Sequence, residues 1–472
     1  MEATQNGEPT LTPWRLFAQH AGRPGAFFLD RASASTPVGG ARASGVCRPG
    51  PSFAGSGPIS QLLVEENGEA WECRAGRWSR LPGHPVDAIA DYVQRWEGTP
   101  VHSSDLDPSA VVWPRTVGFL SYELGSYIEA VPRAPDKGPG CPLALLNSYD
   151  QVDLWDDARG RTFSVRFTNC GEMSRPIPDR LAGRGTVHSP CSSDPRWDYA
   201  RYERGYRRIE QAIEDGEIYQ ANLSRRISFP LEGAPVELYA RMRRRQPVPQ
   251  GAFIDAGSFQ VLSNSPECFL LVNGDRVSTF PIKGTRPRES DRGRDAQAVR
   301  ALRADPKELA EHLMIVDLER NDLGRVSVTG SVEVPTYAEV VTFSTLHHLV
   351  SEIRGILRPD ADLGTILRAC FPSGSITGAP RIKAMEIIAE VENAARGVYT
   401  GAIGCFNGPR SFELNVAIRT AFCRDGFVHY WSGGGVVADS TLEAEYEETL
   451  TKARAFREAL MIPVTAARDP AI

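Results

Sequence analysis

The stretch GFVHYWSGGGVVADSTLEAEYEETLTKARAFREAL, residues 426–460, decides what kind of α/β protein this is. Its first part is β-branched and aromatic, as a strand requires. Three glycines, Gly433, Gly434 and Gly435, read as a turn, and residues 441–460 read as a long terminal helix. Gly433, Gly435 and Ala438 formally fit G-x-G-x-x-A, the phosphate-binding turn of a parallel dinucleotide fold. That fold needs another strand after the helix, and only about thirty-five residues remain. The turn therefore belongs to an antiparallel arrangement, with bare backbone N–H groups offered to an anion.

Working outward, the same grammar repeats. WDYARYERGYRRIEQAIEDGEIYQANLSRRISFP reads as a helix stopped near Gly216 and a strand from Ile218. DPKELAEHLMIVDLERNDLGRVS is a helix closing near Gly324, with Asp317, Asn321 and Asp322 as scaffolding at its end. SGSITGAPRIKAMEIIAEVEN is a glycine turn, a proline suited to a first helical turn, and a helix. It lacks the Lys-Ser/Thr of a P-loop. Paired strands followed by helices predict an α+β protein, antiparallel sheets with helices packed outside. Residues 1–170 carry short apolar runs between Gly, Pro and Ser clusters, and 171–195 hold four prolines and little apolar content. The expected division is an N-terminal domain over 1–170, a linker over 171–195 and a catalytic domain over 196–465.

Composition narrows the function classes. The net charge is −6 from 53 basic and 59 acidic residues, which argues against nucleic acid as a partner. No apolar run reaches the length of a membrane span, and the polar N-terminus does not read as a signal peptide. Nine cysteines without a C-x-x-C pair fit reduced thiols in the cytoplasm.

Glu445, Glu448 and Lys452 are spaced to share one helix face. The plain reading is a solvated face with an ion pair. Glu311 on a second helix adds another reading, because three carboxylates are hard oxygen ligands suited to magnesium. A small dicarboxylic substrate would then be gripped by the metal, Arg419 and Lys452.

Nine ordered blocks carry a family resemblance. GEIYQANLS, SPECF, PIKGTRPR, ELAEHLMIVDLERNDLGRV, HHLVS, FPSGSITGAPRIKAMEII, GVYTGAIG, NVAIRT and SGGGVVADSTLEAEYEETLTKA occur here in the order seen in the chorismate-utilising enzymes, which this chain resembles. The resemblance implies a four-layer α/β/β/α sandwich. It also implies roles: Glu267 as general acid, His348 and Thr377 near the ring hydroxyl, Tyr399, Arg419, Lys452 and Gly433–Gly435 for substrate, and magnesium on Glu311, Glu445 and Glu448. In isochorismate and salicylate synthases a lysine in the YQANL block activates water. Gln220 stands there here, and an amide is no general base, so ammonia becomes the expected nucleophile. Anthranilate synthases resemble this chain but read P-I-A-G-T, whereas PIKGT with Lys283 resembles aminodeoxychorismate synthase component I. There the lysine is the nucleophile, and Arg286 and Arg288 were candidates to favour its neutral form.

The resemblance thus implies conversion of chorismate and ammonia to 4-amino-4-deoxychorismate, toward 4-aminobenzoate and folate. The alternatives are an anthranilate synthase component I and a non-catalytic chorismate-binding subunit. The sequence has no G-x-C-x-G glutaminase elbow, so a separate glutamine amidotransferase is the expected partner, and no fused lyase is expected. The segment FFLDRA, with Leu29 and Asp30, only partly fits the tryptophan-sensing segment of anthranilate synthases, so no tryptophan feedback is expected.

Overall fold

In the computed structural model the described residues are 12–31, 50–101, 111–156, 160–168, 176–182, 195–343, 346–392 and 394–460. Two large sheets, both antiparallel throughout their named pairings, organise them. The first has eleven strands, running from an edge at Gly378–Ala379 through Gln220–Pro230, Phe427–Val436, Thr420–Arg424 and Phe259–Ser265 to Gln250–Asp255. It continues through Phe27–Asp30, Ser52–Gly55, Gln151–Asp156 and Arg161–Phe167 to Pro100–Val101. The second has twelve. Ile282–Pro287, Leu346–Ile356, Arg276–Thr279, Cys268–Asn273, Ser411–Val416 and Ala402–Gly408 lead into Thr116–Leu120, Ala144–Ser148, Ser60–Val64, Ala70–Arg74 and Arg77–Leu81. Glu333–Thr342 pairs on Leu346–Ile356.

The packing gives the layers. Phe27, Phe53, Phe119, Leu145, Phe259 and Trp431 come from both sheets into one buried cluster, the inter-sheet core. Outside the first sheet, Phe17, Leu238, Met242 and Phe456 from three helices cover Phe28, Phe253 and Tyr430. Outside the second, Ile89, Val316 and Leu367 from helices cover Leu62, Leu270 and Ile353. This is the α+β sandwich expected, held by burial of one face of each helix.

Residues 27–167 and 220–436 share both sheets. Phe27–Asp30 pairs with Gln250–Asp255, and Thr116–Leu120 with Ala402–Gly408. Within the expected linker, residues 176–182 and 195 are described. There Arg180 stacks 3.5 Å over the Trp71 ring and pairs with Glu65 at 2.9 Å. Asp30 accepts two bonds from Arg243, at 2.6 and 3.1 Å. No helix among the described residues is long and apolar enough to cross a membrane.

One expectation is corrected. Gly433, Gly434 and Gly435 are no turn at a helix start; they lie inside the strand Phe427–Val436, opposite Ser224, Leu223 and Asn222, and the helix begins later, at Leu442. Close approach explains the glycines: a Cβ on Gly433 would lie 2.6 Å from the Leu223 carbonyl oxygen, and one on Gly435 2.3 Å from Gln220 Nε2.

Candidate active site

The chain crosses from the first sheet to the second at Ser265–Pro266–Glu267, between Phe259–Ser265 and Cys268–Asn273. This crossing buries Glu267, which is only 4% exposed. Burial pushes its carboxyl up to about 7, against the opposing pull of the Ser375 hydroxyl, Lys283, the Ile282 N–H and Arg419.

Lys283 sits in the strand Ile282–Pro287 just before a register shift. Gly284 takes φ +62° there, and a Cβ would lie 2.9 Å from Leu302 Cδ1, so only glycine fits both the bend and the space. The Lys283 amine donates to the Ser375 carbonyl at 3.4 Å. Its charge is felt by Glu267, Glu311 and Glu448, which places it among three carboxylates. Arg286 and Arg288 do not press on it as unpaired cations. Arg286 pairs with Asp305 at 2.7 Å and Glu308 at 3.2 Å, and Arg288 with Asp295 at 3.1 Å.

His348 lies across from Thr285 in the neighbouring strand. Its Nδ1 is 3.1 Å from the Gly284 carbonyl and 3.0 Å from Thr285 Oγ1. Since a carbonyl only accepts, Nδ1 carries the hydrogen and Nε2 keeps its lone pair. Burial, then Arg419, pushes its pKa down to about 3, so the ring is neutral. Thr377 is buried, and its hydroxyl is bonded to the Ser373 carbonyl at 3.1 Å, closing the 3-10 turn Gly374–Ile376. That is the capping role open to a threonine at such a turn.

Tyr399 is buried and stacked on Trp431, with centroids 6.2 Å apart. Arg419 takes φ +52°, uncommon for a residue other than Gly, Asn or Asp. Among the described residues no ion pair or hydrogen bond is made by its guanidinium, and desolvation lowers its pKa. Gln220 is fully buried, and neither its Nε2 nor its Oε1 has a partner. A cation without an ion pair near a buried acid, and a buried amide without a partner against the glycine strand, are groups waiting for a polar ligand.

The helix Leu442–Leu460 brings Glu445 and Glu448 to Gly434, where a Cβ would meet Glu445 Oε2 at 3.0 Å and Glu448 Oε1 at 3.4 Å. Ser440 donates to Glu445 Oε1 at 2.6 Å, while Glu445 Oε2 is buried without a hydrogen bond. Lys452 bonds Glu448 at 2.6 Å and the Gly433 carbonyl at 3.0 Å. Glu311 is near enough for Glu448 to raise its pKa after burial, and Lys307 lies 3.8 Å away. Among the described residues no three acidic, histidine or cysteine side chains converge as a finished metal cluster. The donor set nevertheless suits a hard cation: carboxylates from two helices, one buried oxygen without a partner, and a glycine that leaves the space beside them open.

The model of the family described as chorismate binding enzyme matches residues 53–458. The chain belongs to that family. It is 35% identical to anthranilate synthase component 1 of Pseudomonas putida, covering 87% of this chain and 92% of that protein. It is 32% identical to that of Arthrobacter globiformis, covering 96% and 88%. Among solved structures, anthranilate synthase component I from Streptococcus pneumoniae superposes with TM-score 0.73 at 27% identity, over 96% of this chain and all of that one. In this chain Lys283 and Arg419 lie near Glu267, and Gln220, Glu445, Glu448 and Lys452 lie against the glycine strand.

Sequence reasoning missed the support behind this region. Arg396 is fully buried and bonded to Glu392 at 2.6 Å, the Asn222 carbonyl at 2.8 Å, the Ile376 carbonyl at 3.1 Å and Thr400 Oγ1 at 3.2 Å. The signal was the i, i+4 pair Glu392 and Arg396 in EVENAARGVY, which reads as an ordinary surface pair until burial is known.

Proposed function

We propose that the chain aminates chorismate to 4-amino-4-deoxychorismate, with Lys283 as a covalent nucleophile. The carrying observation is the lysine amine close to the buried Glu267, which also feels the charge of Arg419. The Lys283 ammonium first passes a proton to the Glu267 carboxylate; the amine then adds at ring carbon 2, the double bond shifts, and the 4-hydroxyl leaves as water with that proton. Ammonia then adds at carbon 4 and the lysine departs as an amine. The proton carried by the new ammonium returns to Glu267. Splitting one retention step into two displacements is nucleophilic catalysis. Glu267, raised to about 7, is a half-loaded acid near neutral pH.

Arg419 is the natural partner for a substrate carboxylate, and neutral His348 offers Nε2 as an acceptor. Gln220 in place of a basic residue leaves water unactivated. Glu311, Glu445 and Glu448 are the residues that would hold magnesium, which supplies a counter-charge for a substrate carboxylate. Ammonia would come from a partner glutamine amidotransferase. A cytoplasmic setting fits the free, buried cysteines among the described residues, such as Cys370 and Cys405.

The second reading is anthranilate synthase component I, favoured by the names of the relatives above. Product identity separates the two. Chorismate, magnesium and ammonium are incubated with the chain at mildly alkaline pH, and the product is identified by mass and NMR. A 4-amino product that disappears in Lys283→Ala supports the covalent route, whereas anthranilate from the wild type overturns it.

A further inference from the structure

Behind Glu267 lies a second buried carboxyl that this chemistry leaves unused. Glu319, in the helix Pro306–Gly324, is 4% exposed and makes no ion pair among the described residues. Thr279 Oγ1 donates to its Oε2 at 2.8 Å, and Ser373 Oγ meets its Oε1 at 3.0 Å. Ser373 Oγ is 3.0 Å from Ser375 Oγ, and the Ser375 hydroxyl lies near enough to Glu267 to pull its pKa down. Two carboxyls are thus joined through two buried hydroxyls, each able to accept on one side while donating on the other.

We propose that Ser375, Ser373 and Glu319 form a proton relay that reloads Glu267 between the two halves of the reaction. The proposal rests on Glu267 being the acid of the proposed function. When Glu267 has given its proton to the leaving hydroxide, it takes one from Ser375. Ser375 takes one from Ser373, and Ser373 one from Glu319. Each hydroxyl ends as it began, and Glu319 ends as a carboxylate. The proton released by the product ammonium runs back along the same path, so the cycle closes without a net change or any redox partner.

The surroundings suit storage. Facing Glu319 are Glu267, Thr279, Ser373 and, one helical turn along, Asp322, whose charge is met by Arg381 at 2.8 Å. Cys370 is a further titratable neighbour. Facing Glu267 are Ser375, Lys283, the Ile282 N–H and Arg419. Burial, then Glu267, pushes the Glu319 carboxyl up to about 8, close to the value of about 7 for Glu267, so transfer between them is nearly balanced.

Chorismate consumption, whichever amine forms, is followed against pH for wild type, Glu319→Gln, Ser373→Ala and Ser373→Thr. In Glu319→Gln kcat falls roughly tenfold while the alkaline limb set by Glu267 stays in place, because the proton store is gone. Ser373→Ala keeps the limb but loses roughly tenfold in kcat, and Ser373→Thr restores it. Full kcat in Glu319→Gln or in Ser373→Ala overturns the relay. Infrared titration without substrate supplies the independent arm. A protonated-carboxyl band present at pH 7 and lost in Glu319→Gln supports storage, and its absence from the wild type overturns it. A chain that consumes no chorismate fails the reaction reading, while the infrared band still decides the storage site.

Discussion

Arg419→Asn sets stability and binding against each other. Among the described residues the half-buried Arg419 guanidinium makes no ion pair or hydrogen bond, and its backbone holds φ +52°. Asparagine tolerates that φ better and carries no charge to desolvate. Relief of the backbone strain contributes about 1 kcal/mol. Removal of a partly desolvated charge contributes about 1 kcal/mol more, a figure kept low because the residue retains some contact with water. The variant should therefore resist urea better than wild type by roughly 2 kcal/mol. Substrate binding goes the other way. A charge-assisted hydrogen bond to a carboxylate is worth about 1.5–3 kcal/mol, which predicts a chorismate KM raised roughly 10- to 150-fold. Urea unfolding and initial-rate kinetics on the same preparation read both signs. A variant less stable than wild type with an unchanged KM would show that Arg419 is a structural cation, and the substrate role would be withdrawn.

Two further perturbations address the neighbourhood. Gly434→Ala puts a methyl group 3.0 Å from Glu445 Oε2 without demanding an unusual φ. Half-saturation by magnesium should rise about tenfold, corresponding to about 1.4 kcal/mol, and an unchanged magnesium titration would argue against metal at those oxygens. Arg396→Met removes a fully buried partner of Glu392 and should cost about 3–5 kcal/mol in urea unfolding, since the carboxylate is left buried without its counter-charge. A loss below about 1 kcal/mol would mean the network is not a support of the site.

The sheets and helices were legible because their signals are local. Helix stops at Gly216 and Gly324 and the β-branched run before Gly433 do not depend on distant partners. The glycine run was misread for the opposite reason. Whether three glycines turn or run straight depends on what presses against them, here Leu223, Ser224 and Gln220 from a strand some two hundred residues earlier. Lys283, Glu267 and Arg419 could be named from motif chemistry, but not their company. Arg286 and Arg288 stand close to Lys283 in sequence, yet they are drawn off by Asp305, Glu308 and Asp295. Glu319 was invisible as chemistry because an ionisable residue in a helical pattern reads as solvent-facing until burial is known.

The strand order also has a temporal side. Phe119 meets its neighbour Ile403, and Phe27 meets Ile254, only after the ribosome has made long stretches of intervening chain. At ordinary rates of synthesis the first of these edges waits on the order of 15–60 s. Throughout that wait the apolar run Thr116–Leu120, buried at every position in the finished protein, has one open edge. Nascent chains of this protein should therefore engage holding chaperones most strongly while residues 120–400 emerge, and release them as the strand Ala402–Gly408 arrives.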